Sequence, residues 1–357
     1  MAGIFGLLGL DDNDRSYVNN VGQRQVFDAA NTWLQAQQVE MMRVYSIFIE
    51  QETEAFKERY YLPGGGRLQR RGGQAQSAAT KASGSWDVAY PLEDFGAQYA
   101  GDDVSMAYMN MQEMQRHLDT LDIQNMNTVR FEILKSIFTN TSSTFVDPIQ
   151  GSLTIQSLAN GDGTLYPPVL GSETEADDTH HIETNYAATA ISDTNNPYIT
   201  GRDDLEEHFG APTGFGNIVA FVNNAEVAET EDLTDFVPVE DVHIRSGNDA
   251  NVPYNLPSVP GRIIGRCNGV WIVDWRWVPA TYQIFIDLEA PAPLKMRVDP
   301  ADTGLGRGFQ LVSNEMNYPF EQSHYRHRFG VGVGNRLNGV VLELNTGGDY
   351  TIPTAYQ

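Results

Sequence analysis

The densest run of metal-type donors in the chain is Asp177-Asp178-Thr179-His180-His181, with Glu183 following closely. Carboxylates and imidazoles are the ligands that zinc and manganese take, so Asp178, His180 and Glu183 are the set around which a soluble metal-dependent hydrolase would be built. Against that, adjacent side chains on a strand point to opposite faces, and His180 and His181 do not easily share one ion. His324 and His327 also face opposite sides of an apparent strand, beside Arg326 and Arg328, which would repel a cation. A surface or interface placement is expected for both. Glu206, Glu207 and His208 read as the wet side of a short helix. Among 47 acidic residues no Glu/Asp pair stands out as a hydrolytic dyad.

The glycine-rich stretches do not supply a nucleotide site. Pro63-Gly64-Gly65-Gly66-Arg67 lacks the closing Gly-Lys-Ser/Thr of a phosphate loop. Gly304-Leu-Gly306-Arg-Gly308 and Gly330-Val-Gly332-Val-Gly334 miss the dinucleotide spacing, and the second lies inside a strand pattern. No Gly-x-Ser-x-Gly elbow occurs. The single cysteine, Cys267, excludes an internal disulfide and a cysteine-rich metal site. The expectation is a protein that is not an enzyme, with no cofactor and no resident metal.

What remains is charge. Lys57 to Trp86 carries six basic residues against Glu58 alone, whereas Ala159 to Ala250 carries nineteen acids against Arg202 and Arg245. A formal charge of −24 argues against a nucleic-acid grip by the whole surface, because such surfaces replace phosphate counterions with Lys and Arg. The basic loop has no interleaved aromatic platform for single strands. Contact with an acidic surface on another copy is the better use of Arg67, Arg70 and Arg71. Lys81 and Trp86 complete the residues expected to meet a neighbouring subunit.

Those residues must be positioned by the elements around them. Met1 to Gly22 reads as an extended arm, and its apolar start, Met1 to Leu10, is too short and lacks the basic lead of a signal peptide or membrane span. Val26, Ala30, Trp33, Leu34, Met41, Tyr45 and Phe48 recur at helical spacing, which predicts a helix over Arg24 to Glu50. Phe56 to Leu62 and Trp86 to Leu92 read as two strands of a long hairpin tipped by the Gly/Ala/Ser/Arg segment. A long amphipathic helix is predicted from Asp102-Asp103 to about Asn140, with Val104, Ala107, Met111, Met114, Leu118, Leu121, Met126, Val129, Ile133 and Ile137 on one stripe. Acids at its start suit the helix dipole, and its length would be roughly 55 Å at 1.5 Å per residue. Beyond it the texture is strand and turn: Leu153 to Leu158, Ile218 to Val222, Gly269 to Trp277, Tyr282 to Leu288, Tyr325 to Val333 and Gly339 to Leu344, with short helices over Asp203 to Phe209 and Glu229 to Phe236. The class is α+β.

This order of elements resembles the major capsid proteins of tailed bacteriophages, whose shell fold is shared with herpesviruses and encapsulin nanocompartments. The likeness lies in architecture and local texture: Ala89-Tyr-Pro-Leu-Glu-Asp-Phe95, then Gly101-Asp-Asp and Met106-Ala107-Tyr108-Met109, is similar to the family's passage from hairpin to spine helix. Phe320 to Leu344 resembles its closing strands. The resemblance implies an N-terminal arm and helix (1–50), an extended loop (51–101), a spine helix (102–140), a peripheral domain in two parts (141–200 and 315–357) and an axial domain (201–314). It implies a structural protein that self-assembles as hexamers and pentamers into an icosahedral shell enclosing packaged double-stranded DNA, in a virion assembled in the host cytoplasm. Its partners would be itself, a portal, a decoration protein and, because only about twenty residues precede the first helix, a separate scaffolding protein or none. Some members cross-link by a Lys–Asn bond; Lys81 lies in the corresponding loop, but no matching Asn or Glu is identified. The alternatives are an encapsulin-like shell holding protein cargo, and the metal-dependent hydrolase.

Overall fold

A computed structural model describes residues 23–61, 85–100, 108–169, 172, 174–208, 217–239, 259–312 and 322–357. In chain order its elements are helix α1 (Gln23–Tyr45), strands β1 (Ile49–Thr53), β2 (Lys57–Tyr61), β3 (Ser85–Ala89) and β4 (Glu93–Ala100), helix α2 (Met111–Phe138) and strands β5 (Ser143–Asp147), β6 (Gly151–Ile155) and β7 (His181–Glu183). Helix α3 (Pro197–Glu206), strand β8 (Ile218–Val222), the short helix α4 (Val227–Glu231) and strands β9 (Phe236–Pro238), β10 (Arg262–Cys267), β11 (Val270–Asp274) and β12 (Tyr282–Asp287) follow. Strands β13 (Leu294–Val298), β14 (Gln310–Val312), β15 (Gln322–Val333) and β16 (Val340–Glu343) complete the chain. No described helix is long and apolar enough to cross a membrane.

The chain divides into two compact units, each discontinuous in sequence. One comprises Met1–Arg43, Leu92–Glu132 and Arg297–Gly330; the other comprises Val44–Pro91, Ile133–Met296 and Val331–Gln357.

In the first unit, Val26, Ala30 and Leu34 of α1 pack with Met114, Leu118 and Leu121 of α2, together with Phe309, Leu311 and Tyr325. Strand β15 pairs antiparallel with β4 and β14, so period-2 alternation buries Ser323, Tyr325, His327 and Phe329. Helix α2 begins at Met111 rather than Asp102; residues 101–107 lie outside the described residues. The start signal is a reciprocal capping box. The Glu113 N–H donates to Asn110 Oδ1 at 2.8 Å, and the Asn110 N–H donates to Glu113 Oε2 at 3.3 Å. With 28 residues the helix is about 42 Å long, shorter than its apolar periodicity predicts. The buried stripe runs through Asn125 rather than Met126. A polar residue is tolerated there because the Asn125 Oδ1 lies 2.6 Å from His327 Nδ1 and its amide donates to Met41 Sδ. His327 is thus a core residue, not a surface one. Burial lowers its pKa to about 3, so the ring is neutral.

The second unit is built on a seven-stranded sheet in the order β7-β16-β12-β8-β11-β10-β9. Strand β8 is buried at all five positions, Ile-Val-Ala-Phe-Val, as expected of a central strand covered on both faces. It lies parallel to β11 and antiparallel to β12. One face carries Tyr198 and Leu205 of α3 against Phe285 and Leu342. The approach is close: a Cβ on Gly201 would fall 2.7 Å from the Phe285 ring. Helix α3 starts at Pro197, capped by Asn196, whose Oδ1 accepts from the Tyr198 N–H, six residues earlier than the polar run suggests. Strands β15 and β16, adjacent in sequence across Gly334-Asn335, join different sheets. Helix α1 ends at Tyr45, and Phe48 leads into β1, stacking on Trp275 and tilting against Phe221.

Candidate functional site

Strands β2 and β3 form the base of the predicted extended loop, in the register Lys57 to Ala89, Arg59 to Asp87, Tyr60 to Trp86 and Tyr61 to Ser85. Alternation puts Lys57 and Arg59 on the outer face, where both meet Asp87: Lys57 Nζ lies 2.9 Å from Asp87 Oδ2, and Arg59 Nη2 donates to the same oxygen at 2.8 Å. Their bonds hold the Asp87 carboxyl far below the usual carboxylate range. The inner face carries Glu58, Tyr60, Trp86 and Val88. Burial alone would raise the Glu58 carboxyl, but Lys295 Nζ, 2.8 Å away, and the hydroxyls of Tyr90 and Tyr60 hold it low. In return Lys295 is pushed up to about 12 and its ammonium sits 5.4 Å from the Tyr60 ring centre.

An aromatic ladder ties this base to its own unit. Tyr60 stacks on Trp86 at 5.5 Å, Trp86 tilts against Tyr166 at 5.6 Å, and the Arg336 guanidinium lies 5.8 Å from the Tyr166 ring centre. Trp86 Nε1 donates to the Gly334 carbonyl, and a Cβ on Gly334 would come within 2.9 Å of the Tyr60 hydroxyl. Trp86 is therefore buried in its own chain. Arg67, Arg70, Arg71 and Lys81 lie outside the described residues.

A second cluster sits on the same unit, where the segment leading into β7 meets the end of α3. Asp178, His180, Glu207 and His208 each offer one donor atom, and all four atoms lie within 4.8 Å of one another. His208 Nε2 is 2.7 Å from Asp178 Oδ2 and 3.6 Å from Glu207 Oε1; His180 Nε2 is 3.4 Å from Asp178 Oδ2. Burial would push Asp178 up, but the two rings hold its carboxyl well below the ordinary range. Burial and the Asp178 carboxylate push Glu207 up to about 7. Burial also raises the neighbouring Asp204, to about 6.

The residues read from sequence as a metal set separate here. Asp178 and His180 come together, but Glu183 turns away and accepts from the Asn185 N–H. His181 points elsewhere, with Nε2 3.0 Å from the Ile137 carbonyl. Glu207 and His208 take the vacated roles. His208 is buried, so the expectation of a wet helix side is corrected: the helix ends at Glu206 and the following turn swings His208 inward. Sequence offers one clue, a His beside acids at a helix end, but no local pattern joins it to Asp178.

No family model matches the sequence, and no curated protein is similar to it. Among solved structures, one from Mycobacterium phage Patience is similar over 93% of this chain and 92% of that chain, with 15% identity and a TM-score of 0.68. A chain from the mature capsid of bacteriophage PhiM1 has 10% identity, covers 82% of this chain and 83% of its own, and has a TM-score of 0.48. One from the capsid of a native GTA particle has 12% identity, 84% and 89% coverage and a TM-score of 0.47. The first shows that this α+β chain shares the fold of that phage chain along nearly its whole length.

Proposed function

We propose that the chain is the major subunit of an icosahedral shell, assembling as hexamers and pentamers around packaged double-stranded DNA. The observation that carries this is the end-to-end likeness of fold, 93% of this chain against 92% of the phage chain. On this reading 51–101 is the extended loop, 102–140 the spine helix, 201–314 the axial domain, and 141–200 with 315–357 the peripheral domain.

Function then resides in interfaces rather than in a catalytic centre. The hairpin base is a braced mounting: its inner face is spent on Glu58, Lys295, Tyr60 and Trp86, while Tyr61, 80% exposed, ends the described part of β2 toward the basic segment. Arg67, Arg70, Arg71 and Lys81 would reach from that mounting to an acidic neighbour. Trp86 would hold the base rather than meet the neighbour. At the end of the β5–β6 hairpin, Val146 and Ile149 are 73% and 88% exposed, apolar area that a neighbouring copy would cover. An acidic body, −24 overall, would leave the genome free to be packed and released.

Electron microscopy of the purified full chain tests this. Closed shells with fivefold and sixfold capsomers, and nuclease-protected double-stranded DNA in particles from a lysate, are expected. A chain that stays monomeric at all concentrations refutes shell assembly. DNA-free shells filled with a protein refute the genome-enclosing reading in favour of a nanocompartment.

A further inference from the structure

We propose that Asp178, His180, Glu207 and His208 bind one divalent transition-metal ion of the zinc class, as a structural clamp between the segment before β7 and the end of α3. Four observations lead there. Each ring is fixed by a main-chain carbonyl: His180 Nδ1 is 3.0 Å from the Gly339 oxygen and His208 Nδ1 is 2.7 Å from the Pro167 oxygen. A carbonyl only accepts, so each Nδ1 donates and each Nε2 is turned toward the cluster. Without an ion His208 Nε2 also donates, to the Asp178 carboxylate at 2.7 Å, a proton that metal binding would release. This is the outer-shell arrangement that orients metal-binding histidines.

Second, His180 is 1% exposed, and its Nε2 has no hydrogen-bond partner although Asp178 Oδ2 is 3.4 Å away. A buried ring nitrogen without a partner is costly, and a bond to an ion removes that cost. Third, the spacing suits the ion. Ligand bonds of about 2.0–2.1 Å in a tetrahedron put donor atoms about 3.3 Å apart. The contacts at 3.4 and 3.6 Å match that edge, and the 2.7 Å contact between His208 and Asp178 needs to open by about 0.6 Å. Fourth, the lining is rich in carboxylate oxygens. Two carboxylates face two imidazoles, and the Asp204 Oδ2, one helical turn before His208, is buried without a hydrogen-bond partner.

Two nitrogen and two oxygen donors favour zinc, or manganese in its absence, over magnesium and calcium, which take oxygen sets. The four ligands come from the protein, which closes the site and suits a structural rather than a hydrolytic ion. The clamp stands beside the hairpin support, since His208 lies 6.0 Å from the Tyr166 ring that carries Trp86.

The test uses tag-free full chain, stripped with chelator and dialysed, then titrated with zinc chloride alone. Elemental analysis after gel filtration is expected to give one zinc per chain, with a rise in the unfolding temperature on addition of zinc. The H180Q/H208Q double variant is expected to bind at least about 100-fold more weakly, as loss of two of four ligands requires. His324→Gln, outside the cluster, is expected to bind as the parent does. Absence of stoichiometric zinc on the folded parent chain, judged by circular dichroism, overturns the proposal without reference to any variant. Equal binding by the double variant overturns the ligand assignment. Neither outcome touches shell assembly, which microscopy reads separately.

Discussion

Replacing Arg336 by methionine removes the hub of the second unit. The guanidinium is 1% exposed; Nε donates to the Ser157 carbonyl at 2.9 Å and Nη1 to Thr164 Oγ1 at 3.0 Å. Nη2 donates to Leu158 O, Asn160 Oδ1 and Asp162 Oδ2 at 3.3, 2.9 and 2.8 Å. Methionine matches the length of the stem but leaves the buried Ser157 carbonyl without its donor, while Leu158 O keeps only the Ser157 hydroxyl and Asp162 only the Thr164 N–H. Asp162 is partly exposed and regains water, so the largest part of the loss comes from the orphaned Ser157 carbonyl and the weakened bonding of Leu158 O and Asn160 Oδ1. Breaking a buried charged pair costs about 3–5 kcal/mol, and with one partner rehydrated about 3–4 kcal/mol is expected here. That is a large share of the roughly 5–15 kcal/mol that holds a domain folded. Equilibrium urea unfolding of the subunit, followed by tryptophan fluorescence, measures it. Lysine at the same position keeps the charge near Asp162 with at most three donors, so R336K should fall between parent and R336M. A cycle with D162N should show a coupling above about 1 kcal/mol. A cost below about 1 kcal/mol for R336M would refute the view that this side chain pins the 157–164 segment beneath the aromatic ladder.

Other predictions follow from single contacts. Gly201→Ala drives a methyl into the Phe285 ring at 2.7 Å; the expected loss is about 1–3 kcal/mol in thermal unfolding, despite alanine's better helix propensity. Glu226 is buried, accepts from the Thr281 N–H and from Gln283 Nε2, and burial pushes its carboxyl up to about 7. A raised value means that the fold holds the proton more tightly than the unfolded chain, in which the group titrates near about 4.3. The stability it provides is complete below about 4.3 and is lost as pH rises toward about 7. Glu226→Gln should therefore be more stabilising at pH 8 than at pH 5 by about 3 kcal/mol, and parallel stability curves for the two chains would refute this. Reversing Arg67, Arg70 and Arg71 to Glu should lower particle yield by at least about tenfold, as three lost attractions of about 0.5–1 kcal/mol become repulsions at each copy. Sedimentation of assembled shells reads that, and an unchanged yield would remove these arginines from the interface.

Much of the scaffold was legible in the sequence, because local pattern suffices where one face is buried. The continuous apolar run Ile218 to Val222 is β8, and the alternating Tyr325 to Val333 forms most of β15. The recurrence Met114, Leu118, Leu121, Val129, Ile133, Ile137 is the buried face of α2. These depend on spacing along the chain and on hydrophobic transfer, both written in residue order. The start of α2 is equally local, a cap of Asn110 with Glu113, while Asp102 and Asp103 lie outside the described residues. Tertiary structure decided whatever depends on proximity across the sequence. His327 looked superficial until Asn125, on another element, supplied its partner. His208 looked solvated until the end of α3 carried it to Asp178, thirty residues away in the chain. Burial and pairing are properties of position in space, and a polar residue's role follows from which groups replace its water. That is why the sequence could outline a capsid-like frame, whereas only the fold could assemble the Asp178 cluster.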